Sequence, residues 1–201
     1  MAMRGRPRAY DREDALRKAM HVFWAKGFEG ASLSDLTTAM ALKPPSLYAA
    51  FGSKEGLFEE AISLYSKEEG SGIWDMLSVA ETAFDAVRHV LVASANAFTQ
   101  SDHPRGCMIV LAAPQPNGAN QKVCDALRAL RAQNITLLEE RFEQAKAAGE
   151  ICEGADTHAI AAYYVSVQHG MTFTARDGAS RETLLAVAHC ALAAWPALTQ
   201  A

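Results

Sequence analysis

The sequence contains no run of about 18 apolar residues and no Cys-x-x-Cys pair. A membrane-spanning helix requires such a run, and the opening stretch MAMRGRPRAY also lacks the apolar core of an export signal. We therefore expect a cytoplasmic protein with no membrane partner. The four cysteines are widely separated, which argues against a zinc finger and a disulfide framework, so no metal site and no cofactor are predicted.

Catalytic signatures and strand patterns are missing as well. No nucleophile elbow, glycine-rich phosphate loop or pair of carboxylates stands out, so we predict that the chain is not an enzyme. A helical small-molecule-binding protein or enzyme without a DNA role remains the alternative function. Because no alternating strand pattern competes with the helical periodicity, the expected fold is all-α, with about nine helices.

The net charge of −4 conceals an asymmetry between the two ends of the chain. Residues 1–55 contain nine Lys or Arg against six Asp or Glu, whereas residues 56–201 contain ten against seventeen. Phosphate attracts the basic part and repels the acidic part, which helps to orient an approaching molecule. The N-terminal part is therefore predicted to be the end that binds DNA.

The stretch SLSDLTTAMALKPPSLYAAFGSK, residues 32–54, has the pattern of two short helices joined by a tight turn. In the first helix Leu33, Leu36 and Met40 recur at three- and four-residue steps, as expected of a helix that packs on a core. Ser32 or Ser34 can cap its start.

The second short helix is predicted to run from Pro45 to Phe51, with Lys43 and Pro44 extended before it. Leu47 and Phe51 lie four residues apart and are expected to anchor this helix on the core, because two turns are too short to be stable alone. The residues expected to face outward or lie at the flank are Ser46, Tyr48, Ala49 and Ala50.

A helix face of small residues around a tyrosine, with lysines at its edges, suits close approach to a DNA groove. Lysine and tyrosine can hold phosphates, while serine and alanine can touch base edges. The basic tail at residues 1–10 can reach an adjacent minor groove, or it is a merely solvated tail. A plain helical hairpin is the alternative for residues 32–54. The predicted DNA contacts are Arg4, Arg6, Arg8, Ser32, Ser34, Lys43, Pro44, Pro45, Ser46, Tyr48, Ala49 and Lys54.

Helices are also predicted on both sides of this motif. Asp11 can cap a helix that ends at Gly27, and Ser53 can cap a connecting helix over residues 53–69. The sequence Gly70-Ser71-Gly72 breaks that helix and indicates a boundary. We expect a DNA-binding domain at residues 1–55, with a three-helix helix-turn-helix after the basic arm, and a helical ligand-binding and dimerisation domain at residues 56–201.

From Asp11 to about Tyr65 the chain resembles the DNA-binding domain of the tetracycline-repressor (TetR/AcrR) family of bacterial transcription regulators. The matching positions are Phe23, Gly27, Phe28, Leu36, Leu47, Tyr48, Phe51, Lys54 and Leu57. Ala41 departs from the family, which usually has glycine in this turn. The resemblance implies a homodimeric repressor that is released from a palindromic operator by a small-molecule effector.

The remaining sequence predicts helices at about 75–100, 104–113, 118–148, 156–175 and 180–195. If they enclose an effector pocket, aromatic and polarizable side chains near the short segment are candidates, although each of them equally suits a core. The candidate effector-binding residues are Phe98, Cys107, Met108, Leu111, Phe142, Tyr163, Tyr164 and Phe173.

Cys107 has two possible roles. Its predicted place near a helix start, with Arg105 and His103 nearby, would lower the thiol pKa and permit sensing of oxidants or electrophiles. A cysteine among Met, Ile and Val is alternatively a small buried hydrophobe.

The last two predicted helices are rich in small residues and poor in charge. Small residues at four-residue steps allow close packing between helices, either inside one subunit or across a dimer interface. The resemblance to the family favours a homodimer. The candidate interface residues are Ala162, Ser166, Gly170, Leu185, Ala188, Leu192 and Trp195.

Overall fold

The structure, a computed structural model, describes residues 11–200 except 114, 115 and 117–119. All regular structure within these residues is helical, which confirms the all-α prediction. The helices are α1 (Arg12–Gly30), α2 (Leu33–Met40), α3 (Pro44–Phe51), α4 (Lys54–Glu68), α5 (Ser71–Trp74), α6 (Ala83–Ala97), α7 (Met108–Leu111), α8 (Gln121–Ala147), α9 (Thr157–Arg176), α10 (Arg181–Ala193) and α11 (Trp195–Thr199). The count exceeds the predicted number because α5 and α11 are single turns, which periodicity does not detect.

The predicted helix at 75–100 begins later in the structure, at Ala83. Thr82 fixes this start, because its hydroxyl accepts the N–H of Asp85 at 3.0 Å and donates to the Asp85 carboxylate at 2.7 Å. Residues 75–79 form turns instead of a helix, and Leu77 among them is buried. An apolar stretch can therefore fill the core without being helical.

The start of α3 also differs from the prediction. Lys43 alone is extended, with φ −83° and ψ 150°, and the helix begins at Pro44 rather than Pro45. The fixed φ of proline suits this first position, where a backbone N–H would have no partner within the helix.

Ala41 adopts left-handed geometry in the turn between α2 and α3, with φ 54° and ψ 39°. The Leu42 N–H donates to Thr37 O at 3.0 Å, and the Ala41 N–H donates to Thr38 O at 3.2 Å. These bonds close the end of α2. Alanine thus takes the conformation that glycine adopts more cheaply, at a cost of about 1 kcal/mol.

Gly27 marks a kink in α1 rather than the end that the sequence predicts. It has φ 72° and ψ 172°, and the helix resumes and ends at Gly30. The Phe28 N–H leaves the helical pattern and donates to Ala112 O at 2.7 Å. A Cβ on Gly27 would lie 2.9 Å from the same oxygen, so only glycine permits this close approach.

The buried side chains form two hydrophobic cores. The first core is formed by helices α1, α2, α3, α4 and α7 and by the first two turns of α8, where Val123 and Leu127 are buried. The second core joins α5, α6, α9 and α10 with the later part of α8, where Leu138 and Phe142 are buried. Helix α8 therefore contributes to both cores.

Candidate nucleic-acid interface and cavity

Arg12 holds the C-terminal end of α3 against α1 and α4. Its guanidinium donates to Glu60 Oε1 at 2.7 Å and to Ala50 O at 3.3 Å. The same group lies 4.4 Å from the centroid of the Phe51 ring, within cation–π range. The orientation of α3 is thus fixed by a residue that the sequence predictions did not include, since no periodic signal marks it.

The outward face of α3 carries the small and aromatic residues that the sequence predicts there. Leu47 is buried beneath it, whereas Ser46 and Ala49 are exposed and Tyr48 is 46% exposed. Ala50 differs from the prediction, because it is half-buried and packs on the first core. The exposed face therefore consists of Ser46, Tyr48 and Ala49.

Ser32 forms the cap of α2 rather than presenting a free hydroxyl. Its Oγ accepts the Asp35 N–H at 3.0 Å and donates to Asp35 Oδ2 at 2.7 Å. Lys26 Nζ lies 2.6 Å from the other Asp35 oxygen, and this bond together with those from Ser32 lowers the pKa of Asp35 to about 2. Ser34 is exposed on the next position of α2.

Lysines lie at both ends of α3, as the sequence predicts. Lys43 is exposed with Pro44 and Pro45 beside it. Lys54 begins α4, and its ammonium lies 4.6 Å from the centroid of the Phe28 ring. The predicted contacts of the basic arm, Arg4, Arg6 and Arg8, lie outside the described residues.

The kinked end of α1 is attached to the rest of the chain at three points, which we call the α1 joint. Besides the Phe28 bond described above, the buried indole Nε1 of Trp24 donates to Gly106 O at 2.9 Å. Arg176, the last residue of α9, donates to Trp24 O at 2.7 Å and to Ala25 O at 3.2 Å. The α1 joint therefore links α1 directly to both sides of α7 and to α9.

Trp24 also connects the α1 joint to a cavity that is partly open to solvent. The edge of its ring meets Tyr65 of α4 at a centroid distance of 4.9 Å, and its face stacks on His103 at 4.4 Å. Tyr65 lines a cavity of about 200 Å³, which is also lined by residues of α5, α7, α8 and α9. A change in the cavity can thus reach α1 through one aromatic contact.

Of the predicted effector-binding residues, the structure brings only Cys107 to this cavity. Most of the others fill the cores or lie outside, because aromatic and polarizable side chains serve all three purposes. Phe98, Met108, Phe142 and Tyr164 are fully buried, Leu111 is half-buried, and Tyr163 and Phe173 are exposed. Sequence reasoning missed the lining residues Tyr65, Trp74, Gln133, Asn134 and Gln168. Gln168 alone gives a sequence signal, as an amide in the apolar stretch YYVSVQHGM.

The pKa of the Cys107 thiol is raised, opposite to the predicted direction. Burial is the main cause, and the Tyr65 hydroxyl and the N–H groups of Ile109 and Val110 offset only part of it. Helix α7 has a single turn, so its dipole is too small to reverse this effect. Burial likewise raises the pKa of Tyr65. Both side chains are therefore uncharged at neutral pH.

Helices α9 and α10 present an apolar face to solvent. On α9, Ser166 and Gly170 are exposed and Ala162 is half-buried, and Phe173 is 50% exposed. The predicted stripe on α10 needs correction. Of its four residues, Ala188 and Leu192 are buried in the second core, while Leu185 and Trp195 are half-buried against it. The exposed positions of α10 include Thr183, Ala186, Val187 and Cys190.

The stretch Arg181–Thr199 is the one span in the described helices that is long and apolar enough, by composition alone, to cross a membrane. It comprises α10 and α11, and only 28% of its most apolar window is buried within the subunit. Leu184 and Ala188 pack into the second core. Val187, on the same span, is 38% exposed.

Comparison with known proteins gives matches over both parts of the chain. The family model described as bacterial regulatory proteins, tetR family, matches residues 15–61, and a tetracyclin repressor-like C-terminal domain matches residues 83–189. The HTH-type transcriptional repressor ComR of Escherichia coli K12 is 35% identical over 202 residues, which covers 98% of this chain and 94% of the relative. BdcR of the same organism, also an HTH-type transcriptional repressor, is 36% identical over 106 residues, covering 53% of this chain and 54% of the relative.

A solved structure of similar fold contains DNA. It is a cysteine mutant of the TetR family transcriptional regulator CifR complexed with a 26-base-pair operator. The two chains share 46% identity with a TM-score of 0.92, and the match covers 95% of this chain and 100% of that one.

Proposed function

Because this chain belongs to the TetR family of bacterial regulatory proteins, we propose that it acts in the cytoplasm as a homodimeric repressor that a small-molecule effector releases from a palindromic operator. The chain is a helix-turn-helix transcriptional regulator, as its relatives are, and those relatives are regulators rather than enzymes. What the proposal adds is the residues that contact DNA, the dimer and the route of release.

One observation carries the DNA-binding role. Ser46, Tyr48 and Ala49 are exposed on a short helix whose opposite side is buried and whose end is fixed by Arg12. A rigid, small-residue face of this kind can approach base edges in the major groove. The operator complex of CifR, a relative of similar fold, supports the same use of this face.

The proposed contacts divide into two kinds. Ser34, Lys43, Tyr48, Lys54 and the arginines of the basic arm hold phosphates and set the position of the protein on DNA. Pro44, Pro45, Ser46 and Ala49 meet the base edges, and Ser32 acts through the cap of α2.

The test uses DNA upstream of the chain's own gene in salt-dependent binding measurements. Tyr48→Phe is expected to weaken binding by about tenfold, because it removes a hydrogen bond to a charged phosphate. Lys43→Ala is expected to reduce the slope of log affinity against log salt by about one unit. Lys67→Ala, on the exposed far end of α4, is the matched control and should leave the slope unchanged. Equal effects from both lysines would refute the assigned interface.

The exposed face of α9 and α10 is proposed as the dimer interface. It carries exposed apolar side chains on both helices, Phe173 on α9 and Val187 on α10, and it includes Gly170, above which a Cβ would meet no atom within 4 Å. DNA gives an independent reason for a dimer, because a palindromic operator presents two half-sites about 34 Å apart and each needs its own α3.

The dimer is tested by light scattering of a Phe173→Glu, Val187→Glu double variant. We expect monomers and at least about tenfold weaker operator binding, because two buried charges would oppose association. Val79→Glu is the control, since Val79 is an apolar side chain that is 67% exposed on a different surface. A double variant that remains dimeric would place the interface elsewhere.

Release is proposed to act through the α1 joint as well as through α4. The cavity touches Tyr65 of α4 and three residues at α7, and the carbonyls on both sides of α7 bind α1. A ligand that displaces α7 would therefore rotate α1 together with α3. A coupling free energy of about 1–3 kcal/mol between the effector site and the DNA-binding site is sufficient for such a response.

A further inference from the structure

The size of the cavity between the two cores limits what it can hold. Its volume is about 200 Å³. An apolar cavity of about 150 Å³ is sufficient for benzene, so this one has room for about seven to ten non-hydrogen atoms.

No charged residue lines this cavity within the part of the chain that the structure describes. The two ionisable groups there, Cys107 and Tyr65, keep their protons because burial raises the pKa of each. Arg131 lies on the neighbouring face of α8, and its guanidinium donates to Ile109 O at 2.9 Å. A charged ligand would enter without a counter-charge on the wall, which is strongly unfavourable.

The wall has an apolar side and an amide side. Ile73, Trp74, Val110 and Leu137 supply flat and branched apolar surface. Gln133, Asn134 and Gln168 bring three carboxamides from α8 and α9. Amides lining a cavity of this size provide hydrogen-bonding groups that only a polar ligand group or water can satisfy.

Gln168 is oriented by a buried partner. Its Nε2 donates to Ser94 Oγ at 3.0 Å, and both residues are buried. This bond leaves the Gln168 carbonyl oxygen as an acceptor. An O–H or N–H donor on the ligand matches that oxygen, and Asn134, which lines the same cavity, supplies a second amide for a polar ligand group.

We propose that this cavity binds a compact, uncharged effector with an apolar body and one hydroxyl or amide group, held by Asn134 and Gln168 against Trp74. The proposal rests on the function proposed above, because it specifies the chemical class of the effector. It excludes carboxylates, phosphates and ammonium compounds as effectors at this site.

A series of four probes of nearly equal size tests the class directly. Benzyl alcohol, toluene, benzoate and benzylammonium are titrated into the full-length protein without DNA, and binding is followed by calorimetry or ligand-observed NMR. Benzyl alcohol is expected to bind with a dissociation constant of about 0.1–1 mM, a normal value for a ligand of this size. Benzoate and benzylammonium should each bind at least about tenfold more weakly.

The role of the amides is tested by Asn134→Leu, which keeps the approximate volume of the side chain. The variant should weaken the binding of benzyl alcohol about five- to tenfold and change the dissociation constant of toluene by less than about twofold, because only the alcohol loses a hydrogen bond. Gln144→Leu, an exposed glutamine on the same helix, should change neither. The wild-type probe series decides the question of charge even if Asn134→Leu does not fold.

Three results would overturn the proposal: tighter binding of benzoate or benzylammonium than of benzyl alcohol, equal losses for both neutral probes in Asn134→Leu, or no binding of any probe at about 10 mM. None of them bears on operator binding, which is measured on ligand-free protein. A protein that binds its operator but fails the probe series would retain the proposed repressor function and lose only this effector class.

Discussion

The two hydrophobic cores are organised around aromatic rings, but they differ in what they leave exposed. In the first core Phe58 meets Phe23 at 5.0 Å and Phe28 at 5.2 Å, and all three rings are buried. In the second core Trp195 meets Phe142 at 5.6 Å while remaining half-buried, beside the apolar face of α9 and α10. The first core is thus closed on itself, whereas the second ends in a surface that another subunit can cover.

The cavity lies where these two cores meet. Tyr65 belongs to the first core and Ile73 to the second, and Cys107 packs against both. A molecule in the cavity therefore touches the core that contains α3 and the core that contains α9 and α10. The proposed DNA-binding face and the proposed dimer face thus belong to different cores, and the cavity lies between these cores.

The largest predicted effect comes from removing one central ring from each core. Phe58→Ala and Phe142→Ala should each lower the free energy of unfolding by about 3–5 kcal/mol, because each leaves a buried cavity. Since α8 contributes to both cores, each variant should shift one common transition. Urea unfolding at fixed protein concentration, followed by circular dichroism and tryptophan fluorescence, measures this. Two separate transitions, of which only one moves, would show that the cores unfold independently.

A second test compares two glycines that have the same backbone conformation. Gly106 and Gly149 both have φ 80°, but a Cβ on Gly106 would lie 2.8 Å from Thr172 O, whereas one on Gly149 would meet nothing within 4 Å. Gly149→Ala should cost about 1–2 kcal/mol from left-handed strain alone. Gly106→Ala should cost about 1–3 kcal/mol more, from overpacking where α9 meets the start of α7. Equal losses of stability in the two variants would mean that the backbone at Thr172 moves away from the added methyl group at little cost.

The helices of the first core were predictable from the sequence, because their caps and buried faces depend on residues that are close together in the chain. Asp11, Ser32 and Ser53 cap α1, α2 and α4 as predicted, since each cap depends on residues within three positions. Leu47 and Phe51 are buried as predicted, because their four-residue spacing places both on the same face of α3. The exception, the kink at Gly27, depends on an oxygen from a distant loop.

The cavity and the outward face of α10 could not be predicted in the same way. Helix α10 is apolar on most sides, so periodicity does not distinguish the core side, with Ala188, from the solvent side, with Val187. Gln133 and Asn134 are ordinary polar residues of a long helix in the sequence. They become cavity residues only because α5 and α7 pack across α8.

A smaller effect is expected at the α1 joint. Trp24→Phe keeps an aromatic ring but removes the N–H that binds Gly106 O. The free energy of unfolding should therefore fall by about 1–2 kcal/mol. Operator binding without effector should change little, while release by a cavity ligand should weaken. His21→Phe is a control on the same helix, because His21 is half-buried and its ring lies 6.4 Å from that of Trp24 without binding Gly106 O. Unchanged release in Trp24→Phe would leave α4 as the route.

The smallest predicted effect comes from two similar helix caps, one at the start of α2 and one at the start of α6. Asp35 binds Ser32 and Lys26 at the start of α2, and Asp85 binds Thr82 and Arg88 at the start of α6. These partners lower the pKa of Asp35 to about 2 from its ordinary 3.8, and they lower that of Asp85 as well.

A carboxylate whose pKa is lower in the folded state stabilises the fold above the unfolded pKa, and that contribution is lost as the pH falls through the folded value. Asp35→Asn should therefore reduce the loss of stability between about pH 5 and pH 2, and Asp85→Asn should do so in the same direction. Both carboxylates are half-buried and still reach solvent, so salt should weaken both effects. Acid titrations of unfolding for the two variants and the parent protein measure the difference. An unchanged pH dependence in both would show that these caps act through the backbone hydrogen bonds of the hydroxyl residues and not through charge.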